Sequence, residues 1–150
     1  MPSKNWMSNL ATGLFAGLIL ATAPNLALAQ DAGTFDLELN SAAETEDGSC
    51  RLTYVAANRS ELAFDRTAFQ VGIFDAEGTV TRLLVLEFGA LVGGKTKILQ
   101  FDLAGQTCAS ISRIVVNDTA ACTLSDGSGE SDFCGTGLVA SSRTAIQFGI

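Results

Sequence analysis

Beyond residue 30 the apolar residues of this chain alternate. Phe35, Leu37 and Leu39 are separated by Asp36 and Glu38. A strand that buries one face and wets the other needs apolar residues two apart. No segment past residue 30 keeps a 3.6-residue apolar period over three turns, so helices cannot supply the frame.

The alternation recurs along the chain. CRLTYV turns Cys50, Leu52 and Tyr54 inward, and Phe69, Val71 and Ile73 form a third strand. Asp75-Ala76-Glu77-Gly78 is a hairpin turn, with Gly where a positive φ is wanted. A fourth strand runs from Thr79 to Phe88 and a fifth from Lys95 to Leu103. Ile111 to Asn117 is the sixth, and a last strand carries Thr144, Ile146, Phe148 and Ile150. Residues 125–137 are rich in Gly, Ser and Asp and read as an irregular loop. About seven short strands with regular turn signals predict an all-β fold, a single antiparallel β-sandwich.

The first 29 residues are of another kind. Lys4 precedes an apolar stretch from Leu10 to Ala23, Pro24 ends it, and Ala27-Leu28-Ala29 stands before Gln30. This is the layout of a cleavable signal peptide. The stretch is short for a membrane span, and no Cys follows Ala29 to carry a lipid. The expected division is a signal over 1–29 and a sandwich over 30–150, exported to the periplasm or secreted, with no membrane anchor after cleavage.

Cleavage would also remove both Met, both Pro and the single Trp of a chain that has no His at all. A His general base, a Ser-His-Asp triad, His-ligated zinc and Met/His copper sites are then excluded. Loss of Lys4 takes the formal net charge from −7 to −8. That acidity disfavours nucleic acid and anionic lipid as partners and suits cations or cationic proteins.

Cys50, Cys108, Cys122 and Cys134 are an even set in a chain read as exported, so two disulfides are expected. No C-x-x-C occurs to suggest a redox site. The favoured pairing is Cys50–Cys108 with Cys122–Cys134. If strands alternate in direction, Cys50 and Cys108 precede strands that start at the same end. Cys122 and Cys134 flank the loop in need of a staple.

One stretch carries a resemblance. VGIFDAEGTVTRLLVLEFGALVGGKTKILQFDL reads as strand, acidic-Gly turn, strand, Leu-x-x-Gly turn, strand, and CRLTYVAANRSE precedes it with a strand ending in Asn58. Over Cys50 to Leu103 this resembles small secreted immunoglobulin-like domains, in particular the FxLyD-type domains of bacterial envelope proteins. The resemblance implies an immunoglobulin-like sandwich and no catalytic residues. The cysteine framework and the Cys122–Cys134 loop depart from that pattern.

Two features are candidate sites. LLVLEF is apolar on both faces, with Leu84, Leu86 and Phe88 on one and Leu83 and Val85 on the other. Ile98 and Ile114 are expected to enlarge the outer patch. It reads as a partner surface or an edge for strand addition, or else as a face covered by the segment from Ala120 to Ala140. Asp126, Glu130 and Asp132 lie among small residues and could hold calcium, without EF-hand spacing; their ordinary reading is a solvated surface loop whose charges aid solubility.

The remaining titratable groups have ordinary readings. Asp36/Glu38 and Glu44/Glu46 are a solvated strand face and a charged turn. Lys95 and Lys97 are solubilising charge, and Tyr54 is a core residue with a bonded hydroxyl. The expectation is an exported, non-catalytic module that binds a protein partner or assists envelope assembly, in a chaperone-like manner for instance. The alternative is a calcium-binding or calcium-stabilised module. No other cofactor is expected, and the oligomeric state is left open.

Overall fold

The computed structural model describes residues 33–150. The signal segment and its cleavage site lie outside the described residues. Eight strands are present: β1 Phe35–Glu44, β2 Cys50–Asn58, β3 Phe64–Phe74, β4 Val80–Leu91, β5 Thr96–Leu103, β6 Arg113–Leu124, β7 Leu138–Ser142 and β8 Gln147–Gly149. A 3-10 turn over Cys108–Ser110 and a one-turn helix, α1 Phe133–Thr136, complete the set.

The strands form two four-stranded sheets, in the orders β5-β2-β1-β7 and β4-β3-β6-β8. This is the expected β-sandwich. Consecutive hairpins alternate between sheets: β1 and β2 pair in one, β3 and β4 in the other, β5 returns beside β2 and β6 beside β3. The turn between β3 and β4 is closed by the Gly78 N–H on the Asp75 carbonyl, with Gly78 at φ +80°. The Asp75 carboxylate accepts the Thr79 N–H at 2.8 Å.

The sandwich is not wholly antiparallel. β7 runs parallel to β1 and β8 parallel to β6. The expected last strand is the short β8, and β7 is an additional strand on the other sheet, where none was expected. The cause is the route of the chain. Once α1 ends, the Gly137 carbonyl accepts the Phe35 N–H at 2.8 Å, at the end of the domain where β1 starts. From there the chain can only run alongside β1 in the same direction before crossing to β6.

Both inner faces fill one core. Phe35, Leu37, Leu52, Tyr54, Phe69 and Ile114 are fully buried. The Tyr54 ring meets Phe88, Phe101 and Phe148 edge-on, with centroids 5.8, 6.0 and 5.3 Å away. Edge-to-face contact sets the positive rim of one ring against the negative face of the next.

Where β2 ends, Asn58 is buried and uses its whole amide. Its Nδ2 donates to the Leu62 and Leu91 carbonyls at 2.7 and 3.3 Å. Its Oδ1 accepts the Ser60 N–H and hydroxyl at 3.0 and 2.7 Å. This network ties the β2–β3 loop to the end of β4.

The disulfides pair as expected. Cys50–Cys108 joins the start of β2 to the turn before β6, and Cys122–Cys134 joins the end of β6 to α1. They staple opposite ends of the sandwich. Two disulfides in a small domain fit an oxidising compartment. Among the described residues no helix is long and apolar enough to cross a membrane.

Candidate functional site

The outer face of β4 carries exposed apolar side chains. Val85 stands opposite Gln70, and Leu83 opposite Gly72, on the neighbouring β3. Leu83 is 58% and Val85 49% exposed, although both belong to a strand whose inner residues Leu86 and Phe88 are buried in the core. Gly72 has no side chain to separate them from their neighbours. A Cβ there would lie 3.5 Å from the Phe74 ring and 3.9 Å from a Leu83 methyl. On its other side Gly72 pairs with Val115 of β6, which is partly exposed.

Polar groups border this strip. At one end Asn117 donates to Gln70 at 2.6 Å, and Arg66 pairs with Glu87 at 2.8 Å. At the other, the Arg113 guanidinium lies 4.2 Å over the Phe74 ring, a cation–π contact. Phe74, Val80 and Val115 extend the strip beyond the residues expected from sequence. Their signal was the strand alternation itself, since each is an outward position on β3, β4 or β6.

Two expected members of the patch are placed elsewhere. Ile114 is an inward position of β6 and is fully buried. Ile98 is 68% exposed, but it lies on β5, in the other sheet, opposite Val55. Leu83 and Val85 therefore share a face, while Ile98 flanks the same edge of the sandwich from the other side. The segment from Ala120 to Ala140 does not cover the patch. It is held at the end of β6, where Gly135 packs near the Thr119 hydroxyl.

The acidic loop does not gather its carboxylates. Asp126 accepts the Ser128 N–H and hydroxyl at 2.9 and 2.6 Å. Glu130 accepts the Cys122 N–H at 2.8 Å and the Thr123 hydroxyl. Hydrogen bonds from Ser128 and from Thr123, respectively, hold the two carboxyls below their ordinary range. The Asp132 carbonyl accepts the Gly135 and Thr136 N–H groups within α1 at 3.0 and 2.9 Å. Among the described residues no three acidic, Cys or His side chains stand close enough together to hold a metal.

Other carboxylates are engaged in pairs. Glu38 takes Asn40 at 2.9 Å and Arg143 at 2.8 Å, and these bonds lower its pKa. Asp36 is partly buried, which favours its neutral form, but bonds from Thr34 and Arg59 outweigh this and lower its pKa. A general acid needs a raised pKa, the reverse of what these neighbours impose. The Glu44 carboxylate accepts the Cys108 N–H at 2.7 Å.

Lys97 does more than solubilise: its Nζ reaches across to β4 and donates to the Phe88 and Ala90 carbonyls at 2.8 and 3.2 Å. The expected bond to the Tyr54 hydroxyl is absent. Among the described residues that buried oxygen has no partner, and burial raises its pKa far above the ordinary phenol range.

No protein-family model matches this chain, and neither a curated protein nor a solved structure does.

Proposed function

We propose that this is an exported, non-catalytic β-sandwich module that binds a protein partner, or assists envelope assembly, through the outer face of β4. The observation that carries the reading is the exposure of Leu83 and Val85, side by side on an edge strand with a glycine beside them. Isolated surface apolar residues need no explanation, but a contiguous strip rimmed by polar groups marks a contact surface. The two disulfides and the N-terminal segment support a periplasmic or secreted location. The engaged state of the carboxylates supports a non-catalytic role. The resemblance to envelope immunoglobulin-like domains points the same way.

The test is recovery of partners from periplasmic extract by the wild type and by a Leu83→Asp/Val85→Asp variant of matched melting temperature. A partner held by the first and lost by the second is the expected result. Equal recovery by both removes the face from consideration.

A further inference from the structure

We propose that the free edge of β4 accepts one additional strand from another exported protein, and that this strand is an apolar segment flanked by carboxylates. The inference rests on the reading of β4 as a partner surface and adds the mode of pairing and the partner's charge.

β4 ends its sheet, so one side of its backbone faces no ladder. Its register with β3 shifts near Val80 and again near Gly89, and runs unbroken from Arg82 to Glu87. Bulges twist an edge strand out of pairing geometry, and Gly89 at φ +69° sits at one of them. The regular stretch between them is the part that can template another strand. Among the described residues no turn, loop or side-chain group hydrogen-bonds to the backbone of 83–87. β-strand addition needs such an edge.

The side chains specify an apolar visitor. A strand laid along this edge would set its outer residues beside Leu83 and Val85. Its inner residues would meet the seam between the sheets, where Leu84, Leu99 and Phe101 are only partly buried. This accounts for a strand that is apolar on both faces.

The charges specify its flanks. Outside the signal segment the chain has eight cationic side chains. Arg51, Arg59, Arg66 and Arg143 each pair with a carboxylate, and Arg113 lies on Phe74. Of the other three, Arg82 stands at one end of the regular stretch, and Lys97 and then Lys95 lie beyond the other. Arg82 donates to the neutral Ala104 carbonyl at 3.1 Å, Lys97 caps the Phe88 and Ala90 carbonyls, and Lys95 lies in the turn that follows β4. Their charge is not neutralised, on a chain that is acidic overall. Complementary charge at a rim sets partner choice and association rate.

A second copy of this chain is the poorer occupant: it brings the same uncompensated Arg82 and Lys97 to an edge that already carries them, and its Glu87 is already held by Arg66.

The test uses two synthetic peptides of five alternating Val and Thr residues, one with two Glu at each end and one with two Lys. Affinity is measured by calorimetry at low and high salt. Amide exchange of residues 83–87 is followed in the same samples. The Glu peptide is expected to bind at least about tenfold more tightly than the Lys peptide, to weaken with salt and to slow exchange of these amides. Lys95→Gln touches no hydrogen bond and so reads charge alone; it is expected to lower affinity for the Glu peptide by about twofold. Arg82→Gln/Lys97→Gln is expected to abolish the preference.

Equal binding of the two peptides, or binding without protection of β4, overturns the proposal. If neither peptide protects β4 while Leu83→Asp/Val85→Asp still loses its partner, strand pairing is wrong and the outer-face contact stands.

Discussion

Tyr54 carries a hydroxyl into the centre of the sandwich, where no described residue bonds to it. Desolvating a hydroxyl without a partner costs about 1–3 kcal/mol. Tyr54→Phe removes the cost and keeps the three ring contacts. The variant is expected to match or exceed the wild type by about 1 kcal/mol in denaturant titration; a loss of that size would mean that the hydroxyl is bonded. Asn58 is the opposite case, a buried amide with every group used. Asn58→Ala leaves the Leu91 carbonyl and the Ser60 groups unpaired and is expected to cost about 2–3 kcal/mol by the same titration. The sequence showed Tyr54 on an inward-facing strand position and Asn58 only as the end of that strand. It could not show how their polar groups end up, because Asn58 meets Leu91, 33 positions away in the chain, and the Tyr54 hydroxyl meets no described partner.

Strands were legible where one face is buried and the other wet. The alternation in β1, β2 and β5 is clear, and each turns its alternating apolar residues inward, with Val55 of β2 and Ile98 of β5 as outward exceptions. β7 was not legible because Leu138 is its only buried residue, and its place is set by pairing with β1. The extension of β6 through Cys122 to Leu124 was missed for a related reason. Three register shifts against β3 break the period that a reader would follow. The apolar strip was half legible: the double-faced pattern of β4 was visible, but which sheet Ile98 joins depends on topology. The loop between Cys122 and Cys134 is held by local hydrogen bonds of Asp126 and Glu130, and among the described residues its carboxylates do not gather into one cluster. Addition of millimolar calcium, or of a chelator, is therefore expected to leave the melting midpoint unchanged. A ligand bound at 100 times its Kd would stabilise by about 2.7 kcal/mol and show clearly.

At the scale of the molecule, pH dependence follows from composition and geometry together. With no His, no side chain of ordinary pKa titrates between about pH 5.5 and 9. Asp36, Asp47, Asp102, Asp126, Glu38 and Glu130 have folded pKa values below their ordinary ones. Their stabilisation is present above about pH 4 and is lost as pH falls through the folded values. Tyr54 is shifted up, so its contribution holds below about pH 10 and is lost above it as the unfolded phenol ionises. The melting midpoint is expected to be flat across neutrality and to fall at both extremes, with Tyr54→Phe relieved of the alkaline fall. The single Tyr makes its ionisation directly visible in absorbance.

The staples differ in leverage. Cys50–Cys108 spans 58 residues and Cys122–Cys134 spans 12, which in the chain-entropy model correspond to about 4 and about 3 kcal/mol. Paired Cys→Ser variants are expected to melt in that order, the Cys50/Cys108 pair lowest.

The crossing of the chain from β7 to β8 bears on when the protein can fold. These strands complete both sheets, one against β1 and one against β6, and they are the last two in order of synthesis. A chain emerging amino end first exposes β1 and β6 as raw edges until residues 138–149 follow. Until both dock, neither sheet is complete, and β1 and β6 each keep one backbone edge open.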